Sequence, residues 1–163
     1  MIKIVDVSKD NSLYDLLDDF TDNLREQDWR EAVSLYKAYS NYGVLGVEKL
    51  ILESLVYSIE AYGVIIDGKL QALFGVSSEE LAVYHPWFIC TKEFERDHLR
   101  RFKVKRLMKE YAKGFLDTYL YLTNETLYSD KEERWLQWLG FSTDIKIEND
   151  LKILTFRSKG GRT

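Results

Sequence analysis

The dipeptide Asp67-Gly68 is the feature that most constrains the fold of this chain. It stands between two apolar, β-prone runs, residues 62–66 and 69–76. A two-residue turn that needs positive φ at both positions favours Asp-Gly, and the twist of such a turn suits antiparallel strands. The stretch 62–76 is therefore predicted to be a β-hairpin.

Hydrophobic spacing predicts the remaining elements. A short strand at residues 2–7 precedes helical spacing from Leu13 to Leu24, and the polar stretch 25–32 begins a further helical segment. Later elements are a helix at 47–60, a loop at 77–80, a strand at 86–91, a long basic helix at 94–116, a strand at 118–123, a helix at 130–139 closed by Gly140, and strands at 143–148 and 151–157. This order predicts an α+β fold, with one domain at 1–157 and a basic tail at 158–163.

Composition excludes several classes of protein. Hydrophobic residues make up 45% and charged residues 31%, which is typical of a globular chain rather than a disordered one. The net charge of −4 argues against a general nucleic-acid coat. The single cysteine, Cys90, cannot form an intramolecular disulfide, which favours a reducing compartment, and no apolar run approaches the ~20 residues that span a bilayer. We expect a soluble intracellular protein without membrane contact.

Four motifs carry a family resemblance. They are LREQDWRE at 24–31, GKLQALFGV at 68–76, PWFICT at 86–91 and RWLQWLGF at 134–141, with the basic helix between the last two. In this order they resemble the GNAT acyltransferase fold, and more closely the GNAT-like branch of tailed bacteriophages called internal virion protein A. The resemblance implies a mixed, mainly antiparallel sheet flanked by helices around a long central basic helix.

The resemblance also implies where acetyl-CoA would bind. GNAT enzymes hold the pyrophosphate where the central strand enters the long helix, on a pattern of Arg or Gln, two residues, Gly, one residue, then Gly or Ala. Here no glycine occurs between Gly75 and Gly114. If acetyl-CoA binds, the residues expected to hold it are Arg96, His98, Arg100 and Arg101.

The catalytic groups that the resemblance implies are also absent. The tyrosine that protonates the departing thiolate falls at Leu136, unless Tyr128 or another tyrosine substitutes, and the expected asparagine falls at Ser129. The candidate general bases are Glu79, Glu80, Glu93 and Glu95, and nothing in the sequence singles one out. No catalytic residue and no metal site is predicted, because two histidines and one buried-looking cysteine offer no ligand set.

Charge is unevenly distributed along the chain. Residues 96–113 carry eight Lys/Arg against two acids, a charge of +6, so the rest of a chain totalling −4 carries −10. Such a segment fits an acidic or phosphate-bearing ligand, or is the solvated face of an amphipathic helix. Phe102 is the one aromatic residue in it expected to be exposed. The predicted partner-binding residues are Trp29, Arg30, Arg100, Lys103 and Arg106.

Three functional hypotheses follow. The first is a catalytically degenerate GNAT-like phage protein, without a cofactor, that contacts a virion or assembly protein in the host bacterial cytoplasm or the virion interior. The second is an acetyl-CoA-dependent N-acetyltransferase with an altered pyrophosphate loop. The third is a nucleic-acid-binding accessory protein, for which the sequence offers only the local basic patch. The first two rest on the resemblance.

Overall fold

A computed structural model describes residues 1–159. The strands are β1 (Ile2–Asp6), β2 (Ser58–Ile66), β3 (Lys69–Glu80), β4 (Val83–Cys90), β5 (Thr123–Leu127), β6 (Phe141–Glu148) and β7 (Leu151–Ser158). The α-helices are α1 (Leu17–Asp22), α2 (Glu26–Leu35), α3 (Lys37–Ser40), α4 (Gly43–Tyr57), α5 (Phe102–Thr118) and α6 (Asp130–Leu139). A 3-10 helix, Asn11–Leu16, precedes α1, and a π-helical turn, Phe94–His98, precedes α5. The α+β prediction is confirmed.

The chain groups into two compact units. Unit 1 comprises Met1–Ser77 and Trp87–Arg100, and unit 2 comprises Ser78–Pro86 and, among the described residues, 101–159. The strands form a four-stranded sheet in the order β1-β2-β3-β4 and a three-stranded sheet in the order β5-β7-β6. The prediction of a single domain at 1–157 stays a prediction.

Unit 1 is built on the predicted hairpin. Strands β2 and β3 pair antiparallel, and the turn between them has φ of 51° at Asp67 and 81° at Gly68, as the Asp-Gly dipeptide requires. At Gly75 a Cβ atom would lie 2.4 Å from the carbonyl oxygen of Glu60, so the strands approach closely only because this residue has no side chain. The hairpin supplies Leu70 and Leu73 to a core completed by Leu13, Phe20 and Ile51, among others.

Unit 2 packs helices with the second sheet. Strands β5 and β6 both pair antiparallel with β7. The β3–β4 tip joins this unit through one parallel bridge, Tyr84 to Leu122, in which the Tyr84 N–H donates to the Tyr121 carbonyl at 3.2 Å. Helix α6 begins and ends where the sequence predicts, because Ser129 caps its N-terminus and Gly140 adopts φ of 114° at its C-terminus. The sheet is thus mainly antiparallel, as expected.

Several boundaries were predicted wrongly. The residues expected to form the 77–80 loop continue β3 to Glu80, and the 47–60 helix ends at Tyr57, where β2 follows. The strand expected at 118–123 begins only at Thr123, because the apolar stripe of α5 continues through Phe115 and keeps the chain helical to Thr118. Ser158 closes β7 instead of opening the tail, and residues 160–163 of that tail lie outside the described residues.

The long basic helix is interrupted. In the π-helical turn the Leu99 N–H donates to the Phe94 carbonyl at 2.8 Å, and both residues are buried. A five-residue hydrogen-bonded step brings Phe94 and Leu99 to the same side, whereas α-helical spacing would turn one of them toward solvent. The helix therefore restarts at Phe102 as α5, with Arg101 as its N-cap.

Candidate functional site

The N-terminal turn of α5, residues 101–104, presents uncompensated positive charge. Arg101 has the extended geometry of an N-cap residue, with φ of −71° and ψ of 134°, but its side chain makes no capping bond, and the first turn contains no acid. The first N–H groups of any helix lack intrahelical partners and form the positive end of its dipole. Arg101 and Lys103, both exposed, add cations to that end. This is an arrangement that an anion stabilises.

The four residues predicted to hold acetyl-CoA do not lie on one element. Arg96 and His98 belong to the π-helical turn, Arg100 follows it, and Arg101 caps α5. The Arg96 guanidinium donates from Nε and Nη2 to the two carboxylate oxygens of Asp97, at 2.8 and 2.7 Å, and this pairing raises the pKa of Arg96. Arg96 is therefore already neutralised by its neighbour, whereas Arg100 and Arg101 are exposed.

His98 has an unsatisfied ring nitrogen. Its Nδ1 atom is buried without a hydrogen-bond partner among the described residues, and its ring centroid lies 6.1 Å from that of Phe94. The imidazole thus packs as part of the apolar side of the π-helical turn. The structure gives His98 no contact of the kind that would bind a phosphate.

A buried ion pair anchors the end of β4 in unit 1. The Arg25 Nε donates to Asp28 Oδ2 at 3.0 Å, and the same oxygen accepts the Cys90 N–H at 3.0 Å. The Arg25 guanidinium also reaches Glu95 Oε2 at 3.3 Å and lies 5.4 Å from the Phe88 ring centre. The sequence signal was the i, i+3 spacing of Arg25 and Asp28, which sequence reasoning missed because both residues stand in a very polar stretch.

A second set of polar contacts holds the residues after β4. The Thr91 hydroxyl donates to Gln71 Oε1 at 2.5 Å and accepts the Phe94 N–H at 3.0 Å. Gln71 in turn donates from Nε2 to Glu93 Oε2 at 2.7 Å. These bonds satisfy the polar groups where the chain leaves the sheet, and they connect the start of the π-helical turn to β3.

The candidate general bases differ in their surroundings. Glu95 is held by the buried Arg25 and Glu93 by Gln71, whereas Glu79 and Glu80 are exposed at the end of β3. Two of the four carboxylates therefore serve the anchoring of β4. Within the described part of each compact unit, these contacts do not mark any of the four carboxylates as a catalytic base.

The positions expected to supply a proton donor have structural roles. Leu136 is buried on α6, and the Ser129 hydroxyl accepts the Glu132 N–H at 3.1 Å. The Tyr128 hydroxyl donates to the Asp130 carboxylate, and this bond raises the pKa of Tyr128. A tyrosine whose pKa is raised is a weaker acid, so Tyr128 is a poor replacement for the expected donor.

The predicted partner-binding residues are placed as follows. Trp29 is half-buried and packs against the core of unit 1, whereas Arg30 is exposed on α2. Lys103 and Arg106 are exposed on α5, and Arg106 pairs with Glu110 at 3.5 Å. Cys90 is fully buried, in agreement with its prediction as a core thiol. The partner role of these residues stays a prediction.

A surface cavity of about 430 Å³ lies at the opposite end of α5. It is lined by Leu116, Asp117, Thr118, Tyr119, Leu120, Gly140, Ser158 and Lys159. A 17-residue helix is about 25 Å long, so this cavity is separate from the N-terminal turn of α5. Residues 1–159 contain no cluster of His, Cys, Asp and Glu able to hold a metal ion, and no helix in that range is long and apolar enough to cross a membrane.

Comparison with known proteins identifies the fold. No protein-family model matches the sequence, and no curated protein matches it. Among solved structures, the chain is similar to the aminoglycoside 6'-acetyltransferase type Ii, with TM-score 0.64, 14% identity and coverage of 100% of this chain and 99% of that one. It is also similar to a GNAT family acetyltransferase from Elizabethkingia anophelis with acetyl-CoA bound, with TM-score 0.56, 16% identity and coverage of 96% and 97%.

A third similar structure is the ribosomal-protein-S18-alanine N-acetyltransferase from Escherichia coli, with TM-score 0.53, 16% identity and coverage of 100% of this chain and 96% of that one. These likenesses extend over nearly the whole of each chain, although few residues are shared. Such agreement concerns the arrangement of helices and strands, and a fold does not by itself specify an activity. The chain has the fold of the GNAT acetyltransferases.

Proposed function

We propose that this protein is an acyl-CoA-dependent N-acyltransferase that grips the phosphates of acetyl-CoA with cationic side chains at the N-terminal turn of α5. The observation that carries the proposal is that turn, which has no side-chain cap, no acid and the exposed cations Arg101 and Lys103. One of the similar structures, the acetyltransferase from Elizabethkingia anophelis, has acetyl-CoA bound.

The two cations at the N-terminal turn of α5 destabilise the helix start in the free protein. A cation near a helix N-terminus opposes the dipole by about 0.3–1 kcal/mol, so the sequence pays for Arg101 and Lys103 in the free protein. A pyrophosphate bound there reverses the sign of this interaction. Helical side chains tilt toward the N-terminus, so the long Lys103 side chain can reach the space in front of the free N–H groups, beside which Arg101 stands as N-cap. Charged hydrogen bonds then replace the close backbone contact that glycine permits.

The reaction would be acyl transfer to an amine. The amine nitrogen attacks the thioester carbonyl carbon, the carbon–sulfur bond breaks with its electron pair on sulfur, and the proton lost by the amine reaches that sulfur through solvent, which gives an amide and CoA thiol. A thiol has a pKa of about 8.5, so a thiolate leaves readily without a strong acid. The leucine at position 136 thus slows the reaction by the ~10²–10⁴-fold typical of a lost general acid, without forbidding it.

Calorimetric titration with acetyl-CoA at low and high salt tests the binding step. We expect saturable one-to-one binding that persists at the higher salt concentration. The double variant Arg101→Ala/Lys103→Ala should raise the Kd at least tenfold, about 1.4 kcal/mol. The matched control is Lys131→Ala/Arg134→Ala, which removes two exposed cations from α6 and should leave the Kd unchanged. An equal effect of both pairs would mean that the ligand responds only to overall charge.

Release of CoA thiol in the presence of amine acceptors tests the transfer step. The first acceptors should be an aminoglycoside and a peptide with a free N-terminal alanine, since the similar structures include enzymes named for these acceptors. Acetyl-CoA binding without transfer to any amine would leave the binding proposal intact and reject the enzymatic one.

A second candidate function is favoured by the loss of the expected acid. Leu136 is buried, and the Tyr128 hydroxyl is bound to Asp130, so neither of these two positions supplies a ready proton donor for the departing thiolate. A catalytically degenerate protein that acts by protein contacts in a phage particle agrees with this loss, although the phage assignment rests on sequence resemblance alone. Co-purification with a virion component from infected cells, together with no heat on acetyl-CoA addition, would favour this function over the first.

A further inference from the structure

One exposed face of α5 carries a row of cations that the acetyl-CoA proposal does not use. Phe102, Lys105, Arg106, Lys109 and Lys113 follow helical spacing and are all exposed; we call this set the α5 basic face. The opposite face, with Val104, Met108, Ala112 and Phe115, is buried. At 1.5 Å per residue the row extends over about 16 Å.

An indole from α6 borders this face. The Lys109 ammonium lies 4.7 Å and the Lys105 ammonium 5.8 Å from the ring centre of Trp138. Trp138 is 39% exposed, and its ring stacks on that of Trp135 with ring centres 5.7 Å apart and planes at 20°. Phe102, at the start of the row, is 78% exposed. The face therefore combines four cations with two aromatic rings that solvent can reach.

Acidic groups do little to neutralise the row. Within residues 1–159 the one carboxylate paired with the α5 basic face is Glu110, which lies 3.5 Å from the Arg106 Nε atom, with both side chains exposed. An exposed pair of this kind contributes little free energy. The cations of the row can thus meet an external polyanion without breaking a strong ion pair.

We infer that the α5 basic face, together with Trp138, binds single-stranded nucleic acid. Such sites combine cations that follow the phosphates with aromatic rings on which bases stack. An acidic protein surface would use the cations but would leave the indole and the Phe102 ring without a matching contact. A mononucleotide would use the indole but could not occupy a row about 16 Å long.

The inference is independent of the acetyl-CoA proposal. That proposal rests on Arg101, Lys103 and the free N–H groups of the first turn, whereas this one rests on the side of the helix and on α6. The aromatic contribution was not visible in the sequence, where Phe102 was the one exposed aromatic expected beside the basic residues. Trp138 is 29 residues from Lys109 in the chain, and only the packing of α6 beside α5 places it there.

The test is fluorescence anisotropy of a 5'-labelled 12-nucleotide oligothymidylate, at several salt concentrations, with full-length protein. We expect binding at low salt with a slope of log K against log[salt] of about −3, from four phosphate contacts at −0.7 each. Trp138→Leu should weaken binding at least fivefold at unchanged slope, because base stacking is lost. Lys105→Gln/Lys109→Gln should reduce the slope by about 1.4.

Matched controls distinguish binding at the α5 basic face from nonspecific electrostatic attraction of the oligonucleotide to the protein. Lys37→Gln/Lys49→Gln removes two exposed lysines of unit 1, and Tyr42→Leu removes an exposed aromatic of unit 1; neither should change affinity or slope. Urea midpoints verify that every variant is folded. Absent binding at low salt, equal losses of affinity in the controls, or unchanged affinity in Trp138→Leu would each overturn the inference. So would polyglutamate that competes as well as the oligonucleotide, or thymidine monophosphate that binds as tightly as the oligomer.

Discussion

At the residue scale, Asp28 connects helix α2 to the end of β4. One of its oxygens accepts both the Arg25 Nε–H and the Cys90 N–H, and both side chains of the ion pair are 4% exposed. Removing one partner of a buried pair costs far more than the pair contributes, since the remaining charge is left without compensation.

We therefore expect Asp28→Ala to lower the free energy of unfolding by about 3–5 kcal/mol, because it removes the buried carboxylate to which both the Arg25 guanidinium and the Cys90 N–H donate. Urea denaturation followed by circular dichroism measures this. Asp15→Ala, which removes an exposed carboxylate, should change stability by less than about 0.5 kcal/mol. A loss below 1 kcal/mol for Asp28→Ala would show that Arg25 finds other partners.

A second residue-scale effect concerns Glu48. Its carboxyl group shares a hydrogen bond with Asp18, and this bond, with burial and the negative charges of Asp18 and Asp22, raises the pKa of Glu48. A carboxyl whose pKa is higher in the folded than in the unfolded state favours folding when protonated. Its contribution is present below the unfolded pKa and is lost as pH rises through the folded pKa.

Glu48→Gln should therefore stabilise the protein at pH 7 and stabilise it less near pH 4, where a carboxyl with a raised pKa is more fully protonated. We expect a rise in Tm of about 1–3 °C at neutral pH. Thermal unfolding at both pH values measures it, with the exposed Glu79→Gln as control. A gain that is equal at both pH values would contradict the carboxyl-pair explanation.

At the element scale, α5 and α6 differ in the capping and charge of their N-terminal turns. Helix α6 begins with Ser129 as N-cap and has Asp130, Glu132 and Glu133 in its first turn, whereas α5 has an arginine as N-cap and no acid. A capping serine and acids in the first turn each stabilise a helix start, and α5 has neither. This contrast supports a binding role for the α5 turn.

We expect Arg101→Ser to stabilise the protein by about 1 kcal/mol, since the backbone at position 101 already has N-cap geometry. The reciprocal change, Ser129→Ala, should destabilise it by about the same amount. Urea unfolding measures both, and calorimetry should show weaker acetyl-CoA binding only for Arg101→Ser. If that variant gains stability and keeps full affinity, the α5 turn is not the phosphate site.

At the scale of the whole molecule, the uneven distribution of charge along the chain affects polyanion binding more than the net charge does. The chain has a net charge of −4, yet residues 96–113 carry +6. A polyanion responds to the local field of such a segment, because charges farther away than about 10 Å are largely screened at moderate ionic strength.

The intact protein should therefore bind a heparin column at pH 7 despite its net negative charge. Lys105→Gln/Lys109→Gln/Lys113→Gln should elute at clearly lower salt, whereas Lys9→Gln/Lys37→Gln/Lys49→Gln, with the same net charge, should elute near the unmodified protein. The elution salt concentration is the measurement. Equal shifts of the two triple variants would mean that net charge alone governs retention.

Elements that depend on interactions between residues close in sequence could be predicted, whereas elements that depend on distant contacts could not. The turn at Asp67-Gly68 and helix α6 were predicted at their observed positions, since turn conformation and capping depend on neighbours within a few residues. The break at Phe94–His98 was missed, because apolar spacing alone does not distinguish an α-helical from a π-helical step.

The sequence alone determined the local turns and caps, the uneven distribution of charge, and the absence of glycine and tyrosine at the positions that the GNAT resemblance marks. Only the tertiary structure decided that Asp28 would hold Cys90 across 62 residues, that Leu136 would be buried, and that Trp138 would lie against Lys105 and Lys109. The physical reason is that these contacts join distant segments, and packing rather than local propensity selects which side chains meet.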